Sequence, residues 1–249
     1  MRRIIFIGTA LVVLIAASVA LAATLNTYGA KVALSPSKAG TKSHPVTTKV
    51  VETYTAKNAN SSLRAGALTD IKTTIYGLVS NAKKFPTCDG KKISAMKTDS
   101  FCPKKALVAT GPVNAVLGDN TLTGAGTPCN PFLHVWNGGK GKLWFFFTTG
   151  GKYQCATLHT GDTNAYPGFV KQQGKNQITD VPLPPFVSTK VAGVPNFYGS
   201  LIKEVLTFKK GFNSSVACKG GKRPYSVAFT AVGPSGKQTK TVTGSSKCS

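Results

Sequence analysis

Acidic side chains are scarce in this chain: 8 Asp+Glu stand against 31 Lys+Arg in 249 residues. With only three histidines (His44, His134 and His159), constellations for acid–base or metal chemistry are thin. No C-x-x-C occurs, which argues against a zinc site or a thioredoxin-like pair. The G-x-S-x-G elbow is absent, as is S-x-x-K with its partner motifs. So are G-x-x-x-x-G-K-[ST], H-E-x-x-H and the EF-hand loop. Glycine and proline are plentiful (26 + 14 = 40) but follow no period, which excludes collagen, a low-complexity tail and a helical repeat. Hydrophobic residues at 41% and aromatics at 9% exclude a disordered chain. Arginine is rare beyond the leader, where only Arg64 and Arg223 accompany 27 lysines. Bidentate contacts to guanine and phosphate prefer the arginine fork, so sequence-specific nucleic-acid recognition is not expected.

The start of the chain carries the clearest signal. Met1-Arg2-Arg3 precedes an almost wholly apolar run from Ile4 to Leu21, with a small-x-small site at Ala20-Leu21-Ala22. That is the pattern of a secretory signal peptide over residues 1–22. An uncleaved anchor is the alternative, since about 18 apolar residues can span a bilayer. Either way Arg2 and Arg3 stay cytoplasmic and residues 23–249 are expected outside, as a single domain. The six cysteines (Cys88, Cys102, Cys129, Cys155, Cys218 and Cys248) all lie in that exported body, an even count suited to disulfides in an oxidising space. They allow 15 connectivities. Turn positions favour nearest neighbours: Cys218 and Cys248 flank a hairpin, Cys88 and Cys102 bracket a short loop, and Cys129 and Cys155 flank an aromatic hairpin.

Short runs rich in Val, Thr, Phe and Tyr, separated by Gly/Pro/Asn/Ser clusters, predict strands. The runs are 46–54, 68–76, 106–117, 132–136, 143–147, 153–158, 186–191, 201–208, 225–232 and 237–243. Gly111-Pro112 predicts a bulge or an edge. The run Leu143 to Phe147 is apolar on both faces, as a central strand would be. Lysines on 237–243 suit an edge strand. Residues 181–185 read as an extended connector, and 92–97 as one helical turn. The expected fold is all-β: a disulfide-stabilised two-sheet sandwich, immunoglobulin-like or jelly-roll-like, behind an N-terminal signal helix.

Several stretches together carry a resemblance. They are Ser35-Pro36-Ser37-Lys38-Ala39-Gly40-Thr41, Lys84-Phe85-Pro86-Thr87-Cys88, Cys102-Pro103-Lys104, the strand through Gly111 and Gly118, Cys218-Lys219-Gly220-Gly221-Lys222, and Cys248. In this order the chain resembles a family of exported actinobacterial β-sandwich proteins with no assigned function. The resemblance implies a β-sandwich fold and brings no catalytic or binding residues. Cys129 and Cys155 are additions to its pattern.

Beyond the leader, 29 basic residues face 8 acids, a formal +21. The densest stretch holds Lys83, Lys84, Lys91, Lys92, Lys97, Lys104 and Lys105, candidates for contact with an anionic cell-wall polymer or membrane surface. A solvated surface that guards strand edges explains the same lysines. Gly-rich turns at 233–237 and 138–142 mimic phosphate loops but lie between strands, with no helix N-terminus. His134 and His159, with Asp162 nearby, raise a two-His-one-carboxylate metal site, against which His134 alternates with Phe132 and Trp136 on one strand face. Tyr166, Phe197 and Tyr198 lie in loop-like sequence and are candidates for exposed stacking on a glycan. The sequence names no catalytic residue, metal or cofactor. It points to an exported, non-catalytic structural or interaction protein of the envelope or extracellular space. A carbohydrate-binding module and a secreted hydrolase are the alternatives.

Overall fold

Alternation along Val46–Asn58 sets the pattern of the whole body: Val50, Tyr54 and Ala56 are buried while Lys49, Thr55 and Lys57 are exposed. A period of two places one face on a core and the other in water. The computed structural model describes residues 26–234 and 236–249; the expected signal segment and its helix lie outside them. In chain order the strands are β1 (Asn26–Ser35), β2 (Val46–Asn58), β3 (Ala67–Tyr76), β4 (Leu78–Ser80), β5 (Leu107–Asp119), β6 (Thr127–Cys129) and β7 (Phe132–Gly139). Then come β8 (Lys142–Thr148), β9 (Tyr166–Gln173), β10 (Asn176–Pro182), β11 (Phe197–Ser215), β12 (Lys222–Gly233) and β13 (Gly236–Lys247). One helix, α1 (Gly90–Met96), lies between β4 and β5.

All 13 strands join one antiparallel sheet, in the order β1-β2-β11-β5-β7-β8-β9-β10-β3-β12-β13, with β4 and β6 added on β11 and β5. The all-β fold is as expected, but the single sheet curls into a nearly closed, barrel-like arrangement that is not clearly the expected two-sheet sandwich. At the seam, β1 and β13 meet through side chains. Lys240 Nζ of β13 donates to the Asn26 carbonyl at 2.8 Å, and from the neighbouring β12 the Tyr225 hydroxyl donates to the Ala30 carbonyl at 3.2 Å. Sequence periodicity shows which residues share a face, not whether successive strands close one sheet or two. The lysine-bearing run 237–243 does lie in the terminal strand of this order.

The barrel interior holds the main core, including Val50, Ile71, Leu133, Phe145, Phe208, Phe212 and Phe229. Burying a side chain of this size contributes roughly 1.5–3 kcal/mol. β8 is central, between β7 and β9. Its apolar character on both faces has a specific cause: Phe145 enters the barrel, while Phe146 packs outside with Trp136 and Ile93. Ile93 belongs to α1, which covers this outer face. Asp89 caps α1, accepting from the Lys91 amide at 2.9 Å, and Lys97 ends it in the left-handed conformation. A Cβ on Gly90 would come within 2.0 Å of the Trp144 ring, so only glycine permits this approach.

The disulfides join nearest neighbours: Cys88–Cys102, Cys129–Cys155 and Cys218–Cys248. They suit an oxidising environment. Two expected strands are absent. Around Cys155 the chain forms turns tied by Thr149 and Thr160, whose backbone and hydroxyl groups bond one another. Residues 185–193 form two short 3-10 turns. The Pro185 carbonyl accepts from Ser188, Thr189 and Lys190, which leaves no donors for a ladder. The expected bulge at Gly111-Pro112 is also absent. The β5–β11 ladder skips these residues but keeps its register, and a Cβ on Gly111 would lie 1.7 Å from the Val205 carbonyl oxygen. Residues 181 and 182 end β10 and are not a free connector.

Candidate functional site

Strand alternation places two acids inside the barrel. On β2, Glu52 and Tyr54 face inward between Val50 and Ala56; on β11, Glu204 lies opposite Tyr54, and Leu206 opposite Glu52. Glu52 is 4% exposed and is anchored: the Tyr54 hydroxyl donates to its Oε2 at 2.5 Å. Thr73 on β3 supports that hydroxyl at 2.6 Å. Glu204 differs. It makes no hydrogen bond or ion pair among the described residues and is part-buried, its carboxyl oxygens open to the adjoining space.

What Glu204 faces is a partly open cavity of about 90 Å³. Leu68, Val113, Leu117, Phe147, Tyr166 and Leu201 supply much of its wall. A smaller space of about 20 Å³ shares Ile71, Tyr166, Leu183 and Glu204 with it and reaches Glu52 and Tyr54. Residues from connecting segments (Leu158, His159, Thr163, Val187 and Val191) form one end, the mouth. The Cys129–Cys155 disulfide ties the 149–165 loop to β6 there, with Cys129 in the wall. No Lys or Arg lines either space, in a chain with 31 of them.

Burial controls the electrostatics of this pair. It pushes Glu52 up to about 7, against the opposing bond from Tyr54. Glu204 is likewise pushed up to about 7, by burial first and by the charge of Glu52 second. Burial also raises Tyr54 and Tyr166 well above the usual phenol range, so both remain neutral donors. The site is therefore a largely apolar chamber with two carboxyl groups at the point of ionising near neutrality.

The structure distributes the sequence candidates differently. Tyr166 and Tyr198 are 3% and 8% exposed and present no outer stacking face. Tyr166 stacks on Phe145 with centroids 5.4 Å apart and lines the cavity from within. Tyr198 packs with Ala67 and Leu122, and the half-buried Phe197 packs beside the Cys129–Cys155 bridge. These rings read as loop residues because Pro and Gly flank them, yet they begin β9 and β11.

His134 and His159 do not form a shared site. His134 lies on the outer face of β7, its Nδ1 2.6 Å from Asp99 Oδ2, which also accepts from Trp136 Nε1 at 3.0 Å. Burial opposes ionisation of Asp99, but the His134 and Trp136 contacts outweigh it and hold that carboxyl below its usual range. His159, at the mouth, lies 3.4 Å from Asp162 with 82% of its side chain exposed. Among the described residues no group of three His, Cys, Asp or Glu could hold a metal, and no hydroxyl bonds the second ring nitrogen of His134.

The seven lysines fall in the β4–β5 segment: Lys83 and Lys84 in a 3-10 turn, Lys91, Lys92 and Lys97 on and after α1, and Lys104 and Lys105 before β5. All seven are exposed. Lys83 and Lys84 flank a groove with Lys171 and Gln172 of β9. Lys209 Nζ reaches the Lys104 carbonyl at 3.4 Å, whereas Lys97 Nζ donates to Asn164 Oδ1 of the 149–165 loop at 3.1 Å, so the seven do not share one end. Glu52 and Glu204 are the candidate site residues that sequence reasoning missed. Their signal was a lone acid at an inward position of an otherwise apolar alternating face, on each of two strands. The chain matches no family model and no curated protein sequence.

Proposed function

We propose that this is an exported, non-catalytic binding protein whose barrel holds a small, mostly apolar molecule. The observation that carries the reading is Glu204: a part-buried carboxyl group with no protein partner, facing a largely apolar pocket. A carboxyl group that the protein leaves unpaired at an apolar pocket is open to a partner from outside the chain. Ligand pockets combine apolar walls with a few placed polar groups, as this one does. Export rests on the signal-like leader and the three disulfides, in keeping with the exported family that the chain resembles. The test fills the cavity. Ala115 lines it, and Ala115→Phe is expected to abolish calorimetric binding of toluene and cyclohexanol while the far-ultraviolet circular dichroism stays β-type. Unchanged binding would refute this reading.

The lysine-bearing groove favours a second role, attachment to an anionic cell-wall polymer. Lys83, Lys84 and Lys171 flank a groove, which suits a linear polyanion better than a flat bilayer. The acids of the β4–β5 segment do little to neutralise it, since Asp89 caps α1 and Asp99 is held by His134.

A further inference from the structure

Resting on the cavity reading, we propose that the ligand is a cationic amine of about single-ring size, its ammonium group bound by Glu204 and Glu52 in exchange for a proton. Three observations support this. The first is charge complementarity: Glu204 lines the cavity, Glu52 meets it across the smaller adjoining space, and no Lys or Arg lines either. An ammonium group is the complementary charge, because a neutral ligand leaves any ionised carboxylate uncompensated in a low-dielectric site. The second is the division of labour within the pair. Tyr54 and Thr73 already fix Glu52, whereas Glu204 is open, so an incoming N–H donor meets an unsatisfied acceptor next to a pre-oriented one. The third is size: a cavity of about 90 Å³ leaves room for one ring or a few waters, not for an extended lipid or an oligosaccharide.

The wall gives the ammonium group a defined setting. The aromatic faces of Tyr166 and Phe147 line the cavity, and rings of this kind attract a desolvated cation. The proton account is set by the groups that face Glu204. β2 supplies Glu52 and Tyr54, β9 supplies Tyr166, and the mouth loop supplies His159, which lies beside Asp162. The other packed strands contribute Ile71, Thr73, Val113, Leu133, Phe145 and Val181, none of which titrates. Both tyrosines are held neutral, so the exchangeable proton belongs to the carboxyl pair. An ammonium ion that binds the ionised form displaces that proton to solvent. Acid therefore drives the ligand out, and neutral or mildly alkaline conditions retain it.

The test titrates the intact, disulfide-bonded protein with benzylamine, benzyl alcohol and toluene from pH 5 to 8.5 by calorimetry, in buffers of different ionisation heat. Benzylamine is expected to bind more tightly than benzyl alcohol at pH 8. Its affinity should fall about tenfold per pH unit below 7, with release of about one proton per ligand. Benzyl alcohol and toluene should show no such slope. Glu204→Gln is expected to weaken benzylamine at least tenfold at pH 8 and flatten its profile while toluene still binds, which also shows that the variant is folded. His159→Gln should keep the slope. Benzylamine binding no tighter than benzyl alcohol, or a slope that survives Glu204→Gln, overturns the amine proposal and leaves the cavity reading standing. Failure of all three probes overturns the cavity reading and the amine with it.

Discussion

At the scale of single residues, the buried carboxyls make stability depend on pH in an unusual direction. In the unfolded chain Glu52 and Glu204 titrate near 4.5; in the fold both are raised to about 7. Between those values the folded state holds protons that the unfolded state has released, so stability is greatest at the acid end and is lost as pH rises through 7. The pair together is worth a few kcal/mol. Denaturant unfolding should give a lower free energy at pH 8 than at pH 5.5, and the double variant Glu52→Gln/Glu204→Gln should remove that difference. An unchanged slope in the double variant would place its origin elsewhere. Gly111 gives a steric prediction. Its missing Cβ lets the Val205 carbonyl approach, so Gly111→Ala should cost about 1–3 kcal/mol through overpacking, seen as a lower denaturation midpoint. The Gly-Pro pair was legible as a special backbone position. What it accommodates was not, because the neighbouring strand lies more than ninety residues away in sequence.

At the scale of elements, most strands were legible because their alternation is local. Val46–Asn58 and Lys222–Gly233 carry it clearly, and the structure extends both beyond the predicted runs. The misses follow one rule: a segment whose backbone bonds are satisfied locally does not become a strand. In 185–193 the Pro185 carbonyl collects the donors, and at 149–160 the threonine hydroxyls do. The latter loop borders the cavity, and the Cys129–Cys155 bridge holds it. Replacing both cysteines by serine should lower stability by about 3 kcal/mol. It should also speed ligand release, because the constraint on the mouth is gone. Stopped-flow displacement of a bound probe measures this, and a release rate equal to that of the parent would argue that the loop does not gate the mouth.

At the scale of the whole molecule, a largely apolar, carboxyl-bearing pocket inside the barrel contrasts with the outer groove lined by Lys83, Lys84 and Lys171. If that surface carries envelope attachment, charge reversal there should matter more than elsewhere. Lys83→Glu/Lys84→Glu/Lys171→Glu is expected to elute from immobilised polyphosphate at markedly lower salt than the parent. The same number of reversals at Lys57, Lys152 and Lys190 should shift elution less, since non-specific attraction falls with screening and distance. Equal shifts would indicate net charge alone. Vesicles of anionic lipid, bound more tightly than polyphosphate at equal charge, would favour a membrane surface over a polymer.

The sequence by itself determined what depends on near neighbours: most of the alternating strands, a helical turn near 92–97 and the excess of lysine, while turn positions favoured neighbour pairing of the cysteines without fixing it. Each of these follows from the chemistry of a dozen or so consecutive residues or from simple turn geometry. Closure of one sheet into a barrel, the outward placement of His134 and the inward placement of Tyr166 depend on long-range pairing and were decided only by the tertiary structure. The same is true of the central feature. Glu52 and Glu204 are 152 positions apart, and only the pairing of β2 with β11 brings both to the lining of one small space inside the barrel.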